Sequence, residues 1–468
     1  MNFESMTGGN IIAAISTPYG MGGIAVVRLS GKGSIDLADR VFRSATGKRL
    51  VEQKANTIHY GSVAKDGQVL DDVLISIFRP PHSFTGEESV EISCHGSVYI
   101  QQNILQLLLT AGARLAKAGE FTQRAFLNGK MDLSQAESVA DLIASTSAAT
   151  HRLAMNQMRG GFSKKLAELR TQLLNFASLI ELELDFSEED VEFADRSNLQ
   201  QLIEEIGRHI KKLADSFSVG NAVKEGIPVA IIGETNAGKS TLLNLLLDED
   251  KAIVSDIHGT TRDVIEDTMI FNGVTFRLID TAGIRETKDA IESIGIERTF
   301  RKIQEASIVL WVVDAQSSTA HIEELAQQIL PLAEDKKIIL LFNKIDLIST
   351  EELHHLQTIL TDKIQDRLFI SASHQLRTNE LEDRLVELAN IPEIGEQDVI
   401  VTNLRHYEAL TNALSAAHRV SEGLKDGVPT DFLAQDIREC MHFIGEITGD
   451  ISTDEILGNI FGKFCIGK

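Results

Sequence analysis

The residues best equipped for chemistry begin at Gly233. The run Gly233-Glu234-Thr235-Asn236-Ala237-Gly238-Lys239-Ser240 fits G-x-x-x-x-G-K-S, a spacing that lets backbone wrap phosphate. Glycines allow the main chain to close on an anion, and the loop N–H groups and a helix N-terminus then face it. Lys239 would bring a point charge to the β- and γ-phosphates, and the Ser240 hydroxyl would hold Mg2+. The motif needs a strand before it and a helix after it. Ile227-Pro228-Val229-Ala230-Ile231-Ile232 is an apolar run of strand length, and Thr241-Leu242-Leu243-Asn244-Leu245-Leu246-Leu247 predicts the first helical turns.

Four further motifs indicate the base. Asp280-Thr281-Ala282-Gly283 follows the apolar run Phe276-Arg277-Leu278-Ile279, which places a carboxylate at a strand end within water-mediated reach of Mg2+ and a glycine N–H near a γ-phosphate. Asn343-Lys344-Ile345-Asp346 follows the strand-like Ile338 to Phe342. The Asp346 carboxylate can accept from guanine N1–H and its exocyclic amine, whereas adenine would leave it unpaired. Ser371-Ala372-Ser373, after Leu368-Phe369-Ile370, suits a backbone contact to guanine O6. Gly259-Thr260-Thr261-Arg262-Asp263 supplies a switch threonine for Mg2+, Thr261. Each motif is weak alone, but together and in this order they predict a guanine nucleotide hydrolase. The segment resembles the Ras-like P-loop GTPases.

The elements that must position these residues belong to a chain of 468 residues, which predicts two to four domains. An apolar fraction of 43% is ordinary for a soluble globular protein. The net charge of −23 argues against a broad electrostatic grip on nucleic acid, so such a partner would need a local patch or a second protein. Cys94, Cys440 and Cys465 have no metal-ligand spacing, which predicts no disulfide framework and a reducing, cytoplasmic setting. No apolar run reaches membrane-spanning length, and the acidic Glu4 with no basic segment predicts no signal peptide.

Residues 1–128 predict a mixed α+β domain, with strands at Ile24–Leu29, Asp72–Phe78 and Ser89–Cys94 and a helix from Gly96 to Ala111. Arg28, Glu91 and Lys130 stand out there, although solvent-facing polar residues would look the same. Residues 129–225 predict long helices, Leu133–Ser147, Leu153–Leu184 and Asn198–Phe217, with Met155, Met158, Leu166, Leu169 and Leu173 as core and Glu188-Glu189-Asp190 as solvated surface. The α/β nucleotide domain takes 226–389, and helical spacing resumes in 390–468 at Asn403–Leu424 and Thr430–Ile447. The flanking helices are expected to form one bundle into which the nucleotide domain is inserted. Asp454–Phe464 is amphipathic, and the ending Cys465-Ile466-Gly467-Lys468 fails as a prenylation box because of Gly467 and Lys468.

Ser83-Phe84-Thr85-Gly86-Glu87, then Gly119-Glu120-Phe121-Thr122-Gln123-Arg124-Ala125-Phe126-Leu127-Asn128-Gly129-Lys130, then the nucleotide motifs, then a terminal Cys-x-Gly-Lys form a specific series. In that order they resemble the MnmE (TrmE) family of tRNA modification GTPases, over essentially the whole chain. The resemblance implies a multidomain fold: an α+β folate-binding N-terminal domain, an all-α helical domain and an inserted α/β Ras-like P-loop GTPase domain. It implies a hydrolase acting on GTP in tRNA wobble uridine modification, working as a homodimer and as a heterotetramer with the FAD-dependent MnmG. That pair would add an aminomethyl or carboxymethylaminomethyl group at C5 of the uridine, with tRNA held mainly through the partner. The one-carbon donor would be a tetrahydrofolate derivative such as 5-formyltetrahydrofolate. Its contacts, carried over by motif, would be Arg28, Glu91, Lys130 and Lys468, with Cys465 a candidate nucleophile.

The resemblance also completes the nucleotide site. Its GTP contacts would be Asn236, Ala237, Gly238, Lys239, Ser240 and Thr241, the stretch Ser255, Asp256, Ile257, His258, Gly259, Thr260 and Thr261, then Asp280, Thr281, Ala282 and Gly283. The base contacts would be Asn343, Lys344, Ile345 and Asp346, with Ser371, Ala372 and Ser373. Ile284 stands where Ras-like proteins place a water-orienting glutamine, and Glu292 matches the family's catalytic glutamate. Arg285 is a weak candidate for an arginine finger, and the family instead uses K+. Its ligands would be Asn236, Ser255, the Ile257 carbonyl and Thr260, while Thr235 departs from the family's usual proline. A ribosome-assembly GTPase would share the nucleotide motifs but usually carries a basic RNA-binding module, which these acidic flanks do not resemble.

Overall fold

The computed structural model describes residues 10–185, 196–248, 267–279, 302–392, 395, 398–451, 454–462, 464 and 466–467. The chain divides into two compact units. One comprises Met1–Ala144, Ala154–Lys211 and Glu408–Lys468, and the other comprises Ser145–Leu153 and Lys212–Tyr407.

In the first unit, alternating sequences make a seven-stranded sheet. Its strands are β1 (Ile12–Ile15), β2 (Gly22–Ser30), β3 (Phe42–Ser44), β4 (Thr57–Lys65), β5 (Gln68–Phe78), β6 (Ser89–Gly96) and β7 (Arg114–Leu115), in the order β3-β4-β5-β6-β2-β1-β7. All pairs are antiparallel except β1 with β7. Val73, Ile75 and Ile77 on β5 and Val90, Ile92 and Cys94 on β6 point into the core, under the helices Ser34–Val41 and Val98–Thr110. Their neighbours turn to the opposite face. Register puts Ile58, Ser76, Glu91 and Arg28 in one row across β4, β5, β6 and β2 on that face. Burial, then the Asp71 carboxylate, pushes the Cys94 thiol up to about 11, so it is unreactive at neutral pH.

The helical part of this unit rests on a three-and-four spacing. Leu166, Leu169, Leu173, Phe176 and Ile180 line one side of Gly161–Asp185, which packs against Thr430–Thr448, whose Ile437, Cys440, Ile444 and Ile447 are buried. The single helix expected over 153–184 is two, Ala148–Met158 and Gly161–Asp185, because Gly160 adopts a left-handed φ of 78°. Met158, expected in the core, ends the first of these and is 41% exposed.

The second unit is a six-stranded sheet of β8 (Ile227–Ile232), β9 (Thr268–Phe271), β10 (Val274–Leu278), β11 (Ile308–Asp314), β12 (Lys337–Asn343) and β13 (Asp366–Phe369). The order is β13-β12-β11-β8-β10-β9, parallel except for β9 at the edge. Strands buried on both faces explain their unbroken apolar runs. The unit reaches beyond 226–389. Helix Phe217–Glu225 meets the 398–407 segment where Gly220 touches it so closely that a Cβ would lie 2.0 Å from the Val401 carbonyl oxygen. The Phe217 and Tyr407 rings stack at 4.7 Å.

Phe176 is fully buried in the helical part of the first unit. Phe176→Ala should cost about 3–5 kcal/mol there. Calorimetry should show the melting transition of that unit shifted down, with nucleotide affinity at low temperature unchanged. An unshifted thermogram would contradict this packing.

Candidate functional site

The phosphate loop is set by what surrounds it. β8 delivers the chain into Gly233, whose φ is 143° and whose Cβ, if it had one, would lie 2.1 Å from the Val312 carbonyl oxygen on β11. Gly238, at φ 98°, is equally constrained, since a Cβ there would lie 2.1 Å from Asn343 Nδ2. Both positions therefore require glycine for space as well as for conformation. Helix Lys239–Asp248 begins immediately after, with Ser240 and Thr241 exposed in its first turn. Lys239 Nζ folds back over the loop and donates to the carbonyls of Gly233 at 2.8 Å and Glu234 at 2.5 Å. Burial, then the neighbouring Lys302, lowers the Lys239 pKa, so a phosphate anion arriving there would favour its charged form. Asn236, in the left-handed region at φ 66°, is exposed on the same loop.

The base pocket is tied to that loop by one side chain. Asn343, 2% exposed at the end of β12, donates from Nδ2 to the Ala237 carbonyl at 2.9 Å. Its Oδ1 accepts from the Ala372 N–H at 3.0 Å. The Ser371 and Leu376 backbones pair reciprocally and close the 371–376 turn. Lys344, at φ 65°, anchors its Nζ on Asp314 Oδ2 at 2.7 Å. Ile345 and Asp346 form the next turn. The Ser371 hydroxyl, ahead of His374 and Lys344, holds the Asp346 carboxyl below its usual range, leaving an anionic acceptor for paired N–H donors.

The structure thus brings together Ala237, Gly238, Lys239, Asn343, Lys344, Asp346, Ser371 and Ala372. Sequence reasoning missed His374, whose Nδ1 is 3.4 Å from Asp346 Oδ2, and the pair at 2.8 Å between His321 and Glu234 beside the phosphate loop. Only the position of His374 next to Ser373 could have signalled the first. Ser255, Asp256, Ile257, His258, Gly259, Thr260, Thr261, Asp280, Thr281, Ala282, Gly283, Ile284, Arg285 and Glu292 lie outside the described residues. Among the described residues, no group of three His, Cys, Asp or Glu side chains could hold a metal, and the Ser240 hydroxyl, an oxygen donor of the kind hard cations take, is exposed beside the phosphate loop.

A second cluster lies on the outer face of the seven-stranded sheet. Arg28 and Glu91 are register partners, and Arg28 Nε and Nη2 both donate to Glu91 Oε1, at 3.0 and 2.9 Å. The guanidinium lies 5.4 Å from the Phe84 ring centroid and 5.7 Å from that of Phe121. Lys130 reaches the loop that carries Phe84 and donates to the Pro81 carbonyl at 2.8 Å, rather than meeting Arg28 or Glu91 directly. Cys465 and Lys468 lie outside the described residues, but their neighbours are placed. Ile466 bridges Ala118, and Gly467 accepts from Ser16 Oγ at 3.1 Å, one position beyond the end of β1. Arg28 pairs with Ala14 on that strand.

A family model described as the GTP-binding protein TrmE N-terminus matches residues 11–130, and one described as the MnmE helical domain matches 133–465. Proteins named tRNA modification GTPase MnmE match along almost their whole length. That of Bacteroides thetaiotaomicron is 59% identical over 98% of this chain and 99% of its own. That of Flavobacterium johnsoniae is 52% identical over the same shares. Among solved structures, an Aquifex aeolicus Era bound to GDP.AlF4- is 28% identical over 40% of this chain and 66% of its own, with a TM-score of 0.27, and the assignment does not rest on it. With these matches, the α/β P-loop unit and its guanine-type pocket have their explanation: the chain belongs to the MnmE family of tRNA modification GTPases.

Proposed function

We propose that this GTPase couples GTP hydrolysis to adding an aminomethyl or carboxymethylaminomethyl group at C5 of the wobble uridine of certain tRNAs. It does so with the FAD-dependent partner MnmG and a tetrahydrofolate one-carbon donor. The observation that carries the folate half is the Arg28–Glu91 pair, half-buried at 22% and 29% exposure and flanked by aromatic rings. A carboxylate suits the amine-bearing edge of a pterin, and Arg28, Lys130 and the terminal Lys468 suit an anionic folate tail. Gly467 against Ser16 supports a contribution from the chain terminus. The same sheet face exposes Ile58, Tyr60 and Leu74, which supports a homodimer covering it. The tRNA would be held mainly through MnmG, in keeping with the net charge of −23. We place the protein in the cytoplasm, and no described helix is long and apolar enough to cross a membrane.

For hydrolysis, the loop amides and Lys239 hold the phosphates and Asp346 selects guanine. The Ser240 and Thr261 hydroxyls would hold Mg2+, and Asn236, Ser255, the Ile257 carbonyl and Thr260 would hold K+. These are hard oxygen donors suited to both ions, whose charge when bound offsets that of the phosphates. Glu292 would position the attacking water, because Ile284 has no polar atom to do so.

Mass spectrometry of tRNA from a strain lacking the gene should show the wobble uridine modification missing. The intact gene should restore it, and Arg28→Ala should restore little. Calorimetry on the purified variant should show weakened 5-formyltetrahydrofolate binding with GTP hydrolysis retained. Normal modification in the deletion strain would reject the reading.

Hydrolysis measured by stopped flow should be fast in K+ and strongly slowed in Na+, which fits a potassium-sized ring of oxygens poorly. Glu292→Ala should lower kcat by about a hundredfold or more with GTP affinity little changed. Equal rates in the two salts, or a fully active Glu292→Ala protein, would reject this mechanism.

A further inference from the structure

Phe84 is a large aromatic left open to solvent, 38% exposed, beside a site whose other ring, Phe121, is sealed in the core at 0%. Exposure of this kind usually reflects a loose loop. Here the loop is fixed on both sides of the ring. Thr85 is fully buried, its Oγ1 2.7 Å from Ser30 Oγ, and its carbonyl accepts from Asn128 Nδ2 at 2.7 Å. Ser83 Oγ donates to the Glu87 carbonyl at 2.6 Å, and the Glu87 carboxylate is paired with the buried Arg124 at 3.0 Å. Arg124 is in turn bonded to Glu120, whose neighbour is Phe121. Although burial works against it, the Arg114 fork keeps the Glu120 carboxyl below its usual range, so the network stays ionised. Ser30 and Ser89 are register partners one pleat beyond Arg28 and Glu91, and both belong to this network. β2, β6 and the 83–87 loop, which carry Arg28, Glu91 and Phe84, are therefore anchored by the same polar cluster, while 38% of Phe84 stays open to solvent beyond the Arg28 guanidinium over its ring.

A rigidly held ring with surface still open beside the Arg28–Glu91 pair offers a flat heterocycle two contacts at once, one for its donor-bearing edge and one for its face. We propose that Phe84 is the stacking wall of this site and takes the face of the pterin ring while Glu91 takes its edge. The proposal rests on the folate reading and adds to it the part of the ligand that Phe84 recognises, the bicyclic ring rather than the benzoylglutamate tail.

The test is calorimetry on full-length protein with three probes: 5-formyltetrahydrofolate, tetrahydrobiopterin, which lacks the tail, and p-aminobenzoylglutamate, which lacks the pterin. Phe84→Leu should weaken the first two by about tenfold, as loss of a stacking partner does, and leave the third unchanged. Phe84→Tyr, which keeps the ring, should bind all three as the unaltered protein does. A purely packing role would be met by leucine and would not separate these variants. Unchanged binding in Phe84→Leu, equal loss in Phe84→Tyr, or loss confined to p-aminobenzoylglutamate would overturn the proposal alone. An altered size-exclusion volume for Phe84→Leu would also overturn it, by making Phe84 an interface residue. No binding of 5-formyltetrahydrofolate to the unaltered protein would instead overturn the folate reading, and this proposal with it.

Discussion

The nucleotide site depends on one buried amide. Asn343 joins the phosphate loop to the base loop through Ala237 and Ala372, and it does so almost without contact with water. A buried amide that has lost its partners is costly, so each loop is held at the position where Asn343 remains satisfied. Gly238 follows from the same constraint, because the Asn343 amide nitrogen occupies the space a side chain there would need. The strand order does the rest. β8 and β12 lie on either side of β11, and parallel pairing brings their C-terminal ends, and hence both loops, to one edge of the sheet.

The N-terminal sheet solves a related problem differently. Its outward face must present Arg28 and Glu91 without burying them unpaired. Cross-strand register makes them each other's partner, and the loop from Pro81 to Glu88 is fixed beside them by buried ion pairs and hydroxyls. Arg124 is shared by Glu87 and Glu120, and Glu120 is also paired with Arg114, so the charges form one linked network that frames the loop. The nucleotide pocket is instead framed by close glycine contacts and by a single amide.

Much of this was legible in the chain. Alternation in Ser89–Cys94 gave the correct inward and outward faces of β6, and unbroken apolar runs marked the doubly covered β8 and β12. The order of nucleotide motifs located Asn343, Asp346 and Ala372, but spacing could not reveal that one amide bonds two loops more than a hundred residues apart in one case and twenty-nine in the other. The break at Gly160 was missed because apolar periodicity continues through it on both sides, and only the positive φ distinguishes a turn from a tolerated helical glycine. The cluster of the buried Glu120 and Arg124 with the partly buried Glu87 was also hidden, since charged residues near a loop ordinarily predict surface.

Asn343→Ala most directly tests the claim that one amide sets both halves of the pocket. The readout is its affinity for GTP and for ITP, which lacks the exocyclic amine proposed to donate to Asp346. The account predicts that both affinities fall by about a hundredfold, because the phosphate loop loses its tie along with the base loop. A large loss for GTP with ITP binding unchanged would confine Asn343 to base recognition and contradict it.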